Sequence, residues 1–322
     1  MGHSHPTRGA SAPPKVLQRA DPRVPYPRRV LAAYLVLLAA NVVYGTSYVA
    51  TRVTLGSVPP ATLALLRLVL GSLVLFPLAR LDPAGPALSR GDRWKVAWMG
   101  ILGFAGAFVL ANWGIGASTA TNAALLIVVE PVSLMLLGPL LLGERLARRE
   151  AVGAALAVAG AVLVVVNGIP GVTETLAPHW RGDVLLVLSG LAYASYSLFG
   201  RDVLGRHPAL RVTAWSILWG VAALLPLAAA EWMDGRRPVW TQAAVAGTLY
   251  LALVITAFGY LAWNWALRRV EAARAAIFLN VQPVVGALLG VALLGEPLTA
   301  FTLAGGALIV AGLAAAFGNA GR

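Results

Sequence analysis

Two charged side chains stand in apolar surroundings where a charge is costly. Arg67 lies within "ATLALLRLVLGSLVL" and Glu130 within "AALLIVVEPVSLMLLGPLLL". An ionisable group inside such a run is by default a functional candidate, because an unpartnered charge away from water is expensive. Several chemistries fit the two. They can neutralise each other as a fixed ion pair. Glu130 can take up and release a proton, or Arg67 can hold a carboxylate while Glu130 holds an ammonium group, as a zwitterion would need. Alternatively, the long Arg67 stem lets its guanidinium snorkel to the nearer aqueous surface.

Uncharged polar and aromatic groups in the same kind of run extend the set. Asn41, Tyr44, Ser47, Asn112, Trp113, Ser133, Tyr193, Tyr196, Tyr260, Asn264, Asn280 and Gln282 are candidates to line a wet cavity, against the commoner role of such polar groups in joining helices and of a Trp near a span end in anchoring to the interface. Pro131 and Pro283 each free a backbone carbonyl beside them. Glu144 and Glu296 fall at the ends of apolar runs, where each is expected to cap the helix that follows it. Materials for an intramembrane enzyme are sparse. The four His residues lie outside the apolar runs and there is no Cys, so neither a thiolate nucleophile nor a metal set assembles. His3 and His5 lack further ligands. No nucleotide-binding loop is present, so no cofactor is expected and energy would come from an ion or substrate gradient.

The elements that must position these groups follow from composition. Of 322 residues, 59% are hydrophobic and 12% charged, with a mean hydropathy of +0.77. Soluble domains average about 25% charged, so the chain departs far from them. Its charges cluster and leave ten apolar runs, at about 30–50, 61–79, 95–116, 121–142, 150–167, 184–200, 212–230, 242–264, 272–294 and 299–317. Such lengths cross a ~30 Å hydrocarbon core as helices, and no alternating barrel pattern competes. The reading is an all-α membrane protein of ten transmembrane helices. With the N-terminus placed in the cytoplasm, 20 of the 25 Lys and Arg residues fall in the tail, the inner connections or the C-terminus. That asymmetry places both termini inside, in the inner (plasma) membrane, and explains the net charge of +12 without a nucleic-acid partner. On those bearings Arg67 and Glu130 both lie within roughly 5 Å of the midplane.

The chain also repeats itself. "YGTSYVATR" at 44–52 lies over "YASYSLFGR" at 193–201 at an offset of 149. At an offset of 152, "VEPVSLMLLGPLLLGERL" matches "VQPVVGALLGVALLGEPL", and the "NW" at 112–113 matches that at 264–265. Arg67 falls on Ser216 and Glu130 on Gln282, so the second copy lacks both charges. Flanking charge reverses between copies: "RLARRE" follows the first and "PLTAFTLAG" the second. A unit with an odd number of spans re-enters the membrane upside down, which demands that reversal. The expected organisation is a disordered tail at 1–29, a first five-helix repeat at 30–167, an outer connection at 168–183, a second, inverted five-helix repeat at 184–317 and a C-terminus at 318–322. Inverted repeats suit alternating access around a site near the midplane. Two such units need no partner subunit, and the sequence sets no oligomeric state.

"VYGTSYVATR", Arg67, "VEPV…LLGERL" and "VQPV…LLGEPL" resemble the EamA family of the drug/metabolite transporter superfamily, over about 30–317. The resemblance implies ten helices in inverted five-plus-five repeats and, often, export of amino acids or related metabolites. The expected function is a secondary exporter of small organic molecules working in the lipid bilayer. Uptake, multidrug efflux and a channel remain open as alternatives.

Overall fold

In the computed structural model of the protein, the residues described are 28–81, 88–142, 147–172, 179–267, 269–270, 274–275 and 277–317. Most of the expected N-terminal tail, Glu144 and the C-terminus lie outside them. Among the described residues there is no strand. Helices are what apolar segments must form where water cannot satisfy the backbone.

In chain order, α1 is Arg28–Leu55 and α2 is Pro60–Leu81. Next, α3 (Arg90–Trp98) passes through a wide-turn π segment (Met99–Gly106) into α4 (Ala107–Ala117). Then come α5 (Ala120–Leu126), α6 (Val129–Leu142), α7 (Arg148–Val166), α8 (Trp180–Arg206) and α9 (Ala209–Met233). A second composite rod runs through α10 (Gln242–Leu249), a π segment (Tyr250–Phe258) and α11 (Gly259–Leu267). A 3-10 turn (Ile277–Asn280) leads into α12 (Val281–Leu294), and α13 (Ala300–Phe317) ends the fold. Among the described residues, nine helical stretches are long and apolar enough to cross a membrane, and Ala300–Ala316 is a shorter apolar helix.

Local chemistry sets several of these boundaries. Ser89, Thr119 and Thr241 each accept a bond from the amide three residues on and so start α3, α5 and α10. Pro131 has no N–H to return to the Ile127 carbonyl, which accepts from the Glu130 amide instead, at 3.1 Å. The helix therefore breaks between α5 and α6, and Glu130 enters the first turn of α6. Pro283 stands just after the corresponding change from 3-10 to α-helix.

A close helix crossing joins α7 to α13. A Cβ added to Gly160 would lie 2.5 Å from the Gly305 carbonyl oxygen, and one on Gly153 would lie 2.5 Å from that of Gly312. Small residues let backbones touch, which is how helices associate where lipid removes the usual hydrophobic drive. Gly160→Leu is expected to push the two helices apart at a cost of about 1–3 kcal/mol. Thermal unfolding in detergent would detect it, and an unchanged midpoint would show that the crossing can relax.

Carboxylates tie helix ends to one another. Glu231, at the end of α9, accepts from the Ala61 and Thr62 amides at 2.9 and 2.8 Å and from Thr62 Oγ1 at 3.0 Å. Glu296 accepts from the Ala120 and Thr121 amides at 2.7 and 2.8 Å and from Thr121 Oγ1 at 2.7 Å. Glu296 thus caps α5 rather than α13, the helix that follows it. Two facts explain the correction. Gly295, at φ 64°, turns the chain back at the end of α12, and Thr299 already accepts from the Thr302 amide at the start of α13. Asp183, fully buried in the first turn of α8, gathers Ser118, Asn122 and His179.

Candidate functional site

A cavity of about 590 Å³ lies in the middle of the bundle, walled by α1, α2, α4, α6, α8, α11 and the start of α12. Arg67 and Glu130 both line it. They form no ion pair with each other, so the fixed-pair expectation gives way to a different arrangement. Arg67 Nε donates to Thr256 Oγ1 at 2.8 Å, and the guanidinium carbon sits 4.3 Å from the centre of the Phe108 ring. Cation–π contact steadies the group without neutralising it. Its two terminal nitrogens have no protein acceptor among the described residues, and the side chain points into the bundle rather than to a surface. Glu130 has no hydrogen-bond donor among the described residues and lies within electrostatic reach of Tyr48 and Tyr193. One cavity therefore presents an uncompensated cation and an uncompensated anion, both with hydrogen-bonding capacity to spare.

Its walls are aromatic. Phe104 stands at the centre of an edge-to-face cluster, with ring centroids 5.8 Å from Phe108, 5.1 Å from Tyr196 and 5.8 Å from Tyr260. The Tyr193 and Tyr260 hydroxyls lie 2.7 Å apart, and the Tyr196 hydroxyl is bonded to Thr213 Oγ1 at 2.9 Å. Each ring is thereby held at its polar tip as well as by packing.

Tyr44, Ser47, Asn112, Tyr193, Tyr196, Tyr260, Asn280 and Gln282 also line the cavity. Four expected lining residues do not. Asn41 is completely buried behind the wall, donating to the Leu37 carbonyl at 2.7 Å and accepting from Gln282 Nε2 at 2.8 Å. It positions a lining residue instead of being one. Ser133 turns back and donates to the Val129 carbonyl at 2.5 Å. Trp113 and Asn264 each neighbour a lining residue, Asn112 and Trp263, and one residue along a helix turns the side chain about 100° away. Trp113 packs instead on the apolar cluster around Phe104 and Leu68.

Tyr48, Thr51, Phe108, Ser189, Ser197 and Trp263 line the cavity without having been singled out as lining residues from the sequence. A signal for some of them was there. Tyr44, Tyr48 and Thr51 are spaced i, i+4, i+7 along α1, and Ser189, Tyr193 and Tyr196 have the same spacing along α8. Each set places polar groups along one face of its helix.

A bundle of membrane-spanning helices around a polar, aromatic-walled cavity defines an integral membrane protein of the transporter class. The family model described as the EamA-like transporter family matches the chain twice, over residues 31–166 and 180–318, and the chain belongs to that family. It is a transporter and not an enzyme. It is 32% identical over 278 residues to the "Probable terminal-alkyne amino-acid exporter" of Streptantibioticus cattleyicolor, covering 86% of this chain and 90% of that one. It is 30% identical over 296 residues to the "Probable amino-acid metabolite efflux pump" of Salmonella typhimurium, covering 87% and 92%. A solved crystal structure superposes with a TM-score of 0.61 at 23% identity, covering 89% of this chain and 96% of the other, which speaks to the fold alone.

Proposed function

We propose that the protein exports small zwitterionic metabolites of the amino-acid type, exchanging them for protons by alternating access. The observation that carries this reading is the pair of uncompensated opposite charges in one cavity. A zwitterion supplies what both lack: its carboxylate meets the Arg67 guanidinium in a bidentate geometry and its ammonium group meets Glu130. Binding then relieves two charges that are costly to leave unpaired. A proton on Glu130 serves the same end in the return step, so that substrate and proton compete for one carboxylate. The names of the two relatives, an amino-acid exporter and an amino-acid metabolite efflux pump, support the substrate class and the direction.

The machine that would move the site between the two sides is the inverted repeat of ten spans, with both termini in the cytoplasm and the protein in the inner (plasma) membrane. Reciprocal contacts support it. The offset of 152 carries Gly153 to Gly305 and Gly160 to Gly312, and the contacts Gly153–Gly312 and Gly160–Gly305 exchange under that operation. The π segment at Met99–Gly106 maps onto 251–258, against the second one at Tyr250–Phe258. Arg67 and Glu130 have no charged counterparts in the second repeat, so the machine is symmetric and the charge is not.

Proteoliposomes with an internal pH dye test the reading. Wild type is expected to move protons when an amino acid is supplied, and Glu130→Gln to lose that flux while remaining folded. Equal substrate movement in both without any proton signal would make the protein a facilitator, and Glu130 a structural residue.

A further inference from the structure

The geometry points to Gln282 as the second acceptor for the substrate's ammonium group, with Asn41 as the residue that positions it. This inference rests on the zwitterion reading above and narrows it to amines that carry at least two N–H donors. Its basis is a close approach of α1 to α12. A Cβ added to Gly45 would lie 2.7 Å from Val285 Cβ, and one added to Gly286 would lie 2.8 Å from Tyr48 Cδ2. Asn41, Gly45 and Tyr48 share one face of α1, spaced i, i+4, i+7, and Gln282, Val285 and Gly286 share one face of α12. The crossing sets Asn41 against Gln282. It also lays the Tyr48 ring one turn from Gln282, and Tyr48 is within electrostatic reach of Glu130.

Asn41 decides which end of the Gln282 amide is left for a ligand. A carbonyl oxygen can only accept, so Asn41 must turn its NH2 to Leu37, which it meets at 2.7 Å. Its Oδ1 then faces Gln282 and is met by Nε2 at 2.8 Å. Gln282 Oε1 accepts from no group among the described residues, and it is not one of the buried polar atoms sealed without a partner. Since Gln282 lines the cavity, that oxygen is open to a ligand there. The repeat explains why only this side needs an orienting group. An offset of 152 carries Glu130 to Gln282, each followed by proline, and an offset of 149 carries Asn41 to Gly190. Gly190 abuts the Glu130 backbone, with an added Cβ 3.2 Å from the amide nitrogen. An ionised carboxylate has two equivalent oxygens and presents an acceptor whichever way it turns, whereas a flipped amide would aim N–H groups at a cation. Glu130 and Gln282 together offer two acceptors and one negative charge. A primary ammonium group matches both, while a trimethylammonium group has the same charge and no donor.

The experiment is titration calorimetry of the purified full chain. Wild type is first screened with the common amino acids, and the tightest binder is then compared with its N-methyl, N,N-dimethyl and N,N,N-trimethyl derivatives. Wild type is expected to hold the N-methyl form nearly as well as the parent and to lose about tenfold at the dimethyl form, where one donor remains. Gln282→Met keeps the side-chain length without the amide. It should bind the parent about tenfold more weakly and leave the dimethyl form unchanged, a pattern that general loosening of the wall cannot give. Asn41→Leu should weaken the parent by less than Gln282→Met does. If Gln282→Met does not fold because Asn41 Oδ1 is stranded, Gln282→Met with Asn41→Leu removes both partners at similar size and keeps the readout. Equal weakening of the parent and every derivative by the Gln282 variant would place Gln282 away from the ammonium group and overturn the proposal. A loss of parent affinity in Glu130→Gln measured alongside would then leave the zwitterion reading standing. Binding of no amino acid by wild type would remove that reading and this inference with it, and wild-type affinity in Asn41→Leu would overturn the positioning role of Asn41.

Discussion

Arg67→Ala is expected to lower transport of a carboxylate-bearing substrate by about a hundredfold or more while leaving the fold intact. The proposed contact is two charge-assisted hydrogen bonds, each worth about 1.5–3 kcal/mol, and every ~1.4 kcal/mol is a factor of ten in affinity. Among the described residues the side chain makes one hydrogen bond, Nε to Thr256 Oγ1, and Thr256 keeps its own bond to the Leu251 carbonyl when Arg67 is gone. Had Arg67 been the salt-bridge partner of Glu130, the same substitution would strand a carboxylate and cost about 3–5 kcal/mol of stability. The two arrangements therefore differ in what fails. Initial rates in proteoliposomes and thermal unfolding of the same preparation decide it. Arg67→Lys should fall between, because an ammonium group keeps the charge but not the planar fork. A collapsed unfolding midpoint for Arg67→Ala would restore the ion pair, and full activity of the variant would remove Arg67 from the site.

Glu231→Ala is expected to cost about 3–5 kcal/mol of stability. The carboxylate is 2% exposed and accepts from two backbone amides and a hydroxyl at the start of α2. Its removal leaves buried donors without acceptors, at about 1–3 kcal/mol each. Trp232 adds a bond from Nε1 to Thr62 Oγ1 at 3.1 Å, but that hydroxyl needs an acceptor of its own and Trp232 cannot provide one. Glu231→Gln keeps one carbonyl oxygen and should lose less than half as much. Glu296→Ala removes a matching set of bonds but should cost less than Glu231→Ala, because Glu296 is only partly buried and water can reach the freed amides. Denaturation of the three variants in detergent would check the order, and a larger loss for Glu296→Ala would contradict the weight given to burial.

The chain's apolar runs and clustered charges made the membrane class legible, because twenty-residue apolar stretches have few other uses. Arg67 and Glu130 were legible as site candidates for the same reason, since a charge in such a stretch is conspicuous. Tyr44, Tyr193, Tyr196 and Tyr260 stood out as polar groups in apolar helices, and all four line the cavity. What a given side chain faces was much harder to read. Asn112 lines the cavity and Trp113 does not, though both looked alike as candidates; Glu231 gave no signal at all, because an acid near the end of a span is ordinarily solvated.

By itself, then, the sequence determined that this is a helical membrane protein, where its apolar runs lie, that its halves match, and which two charges sit where charge is costly. Only the tertiary structure decided that Arg67 turns to Thr256 and Phe108 instead of Glu130, that Glu296 caps α5 across the bundle, and that Asn41 stands behind Gln282. The physical reason is that a helix between lipid and protein is apolar over most of its surface, so apart from short polar faces such as those on α1 and α8 little in the sequence reveals which face turns inward. Partners of a buried polar group are then set by which helix end or side chain lies nearest in space, a relation between segments that no local pattern encodes.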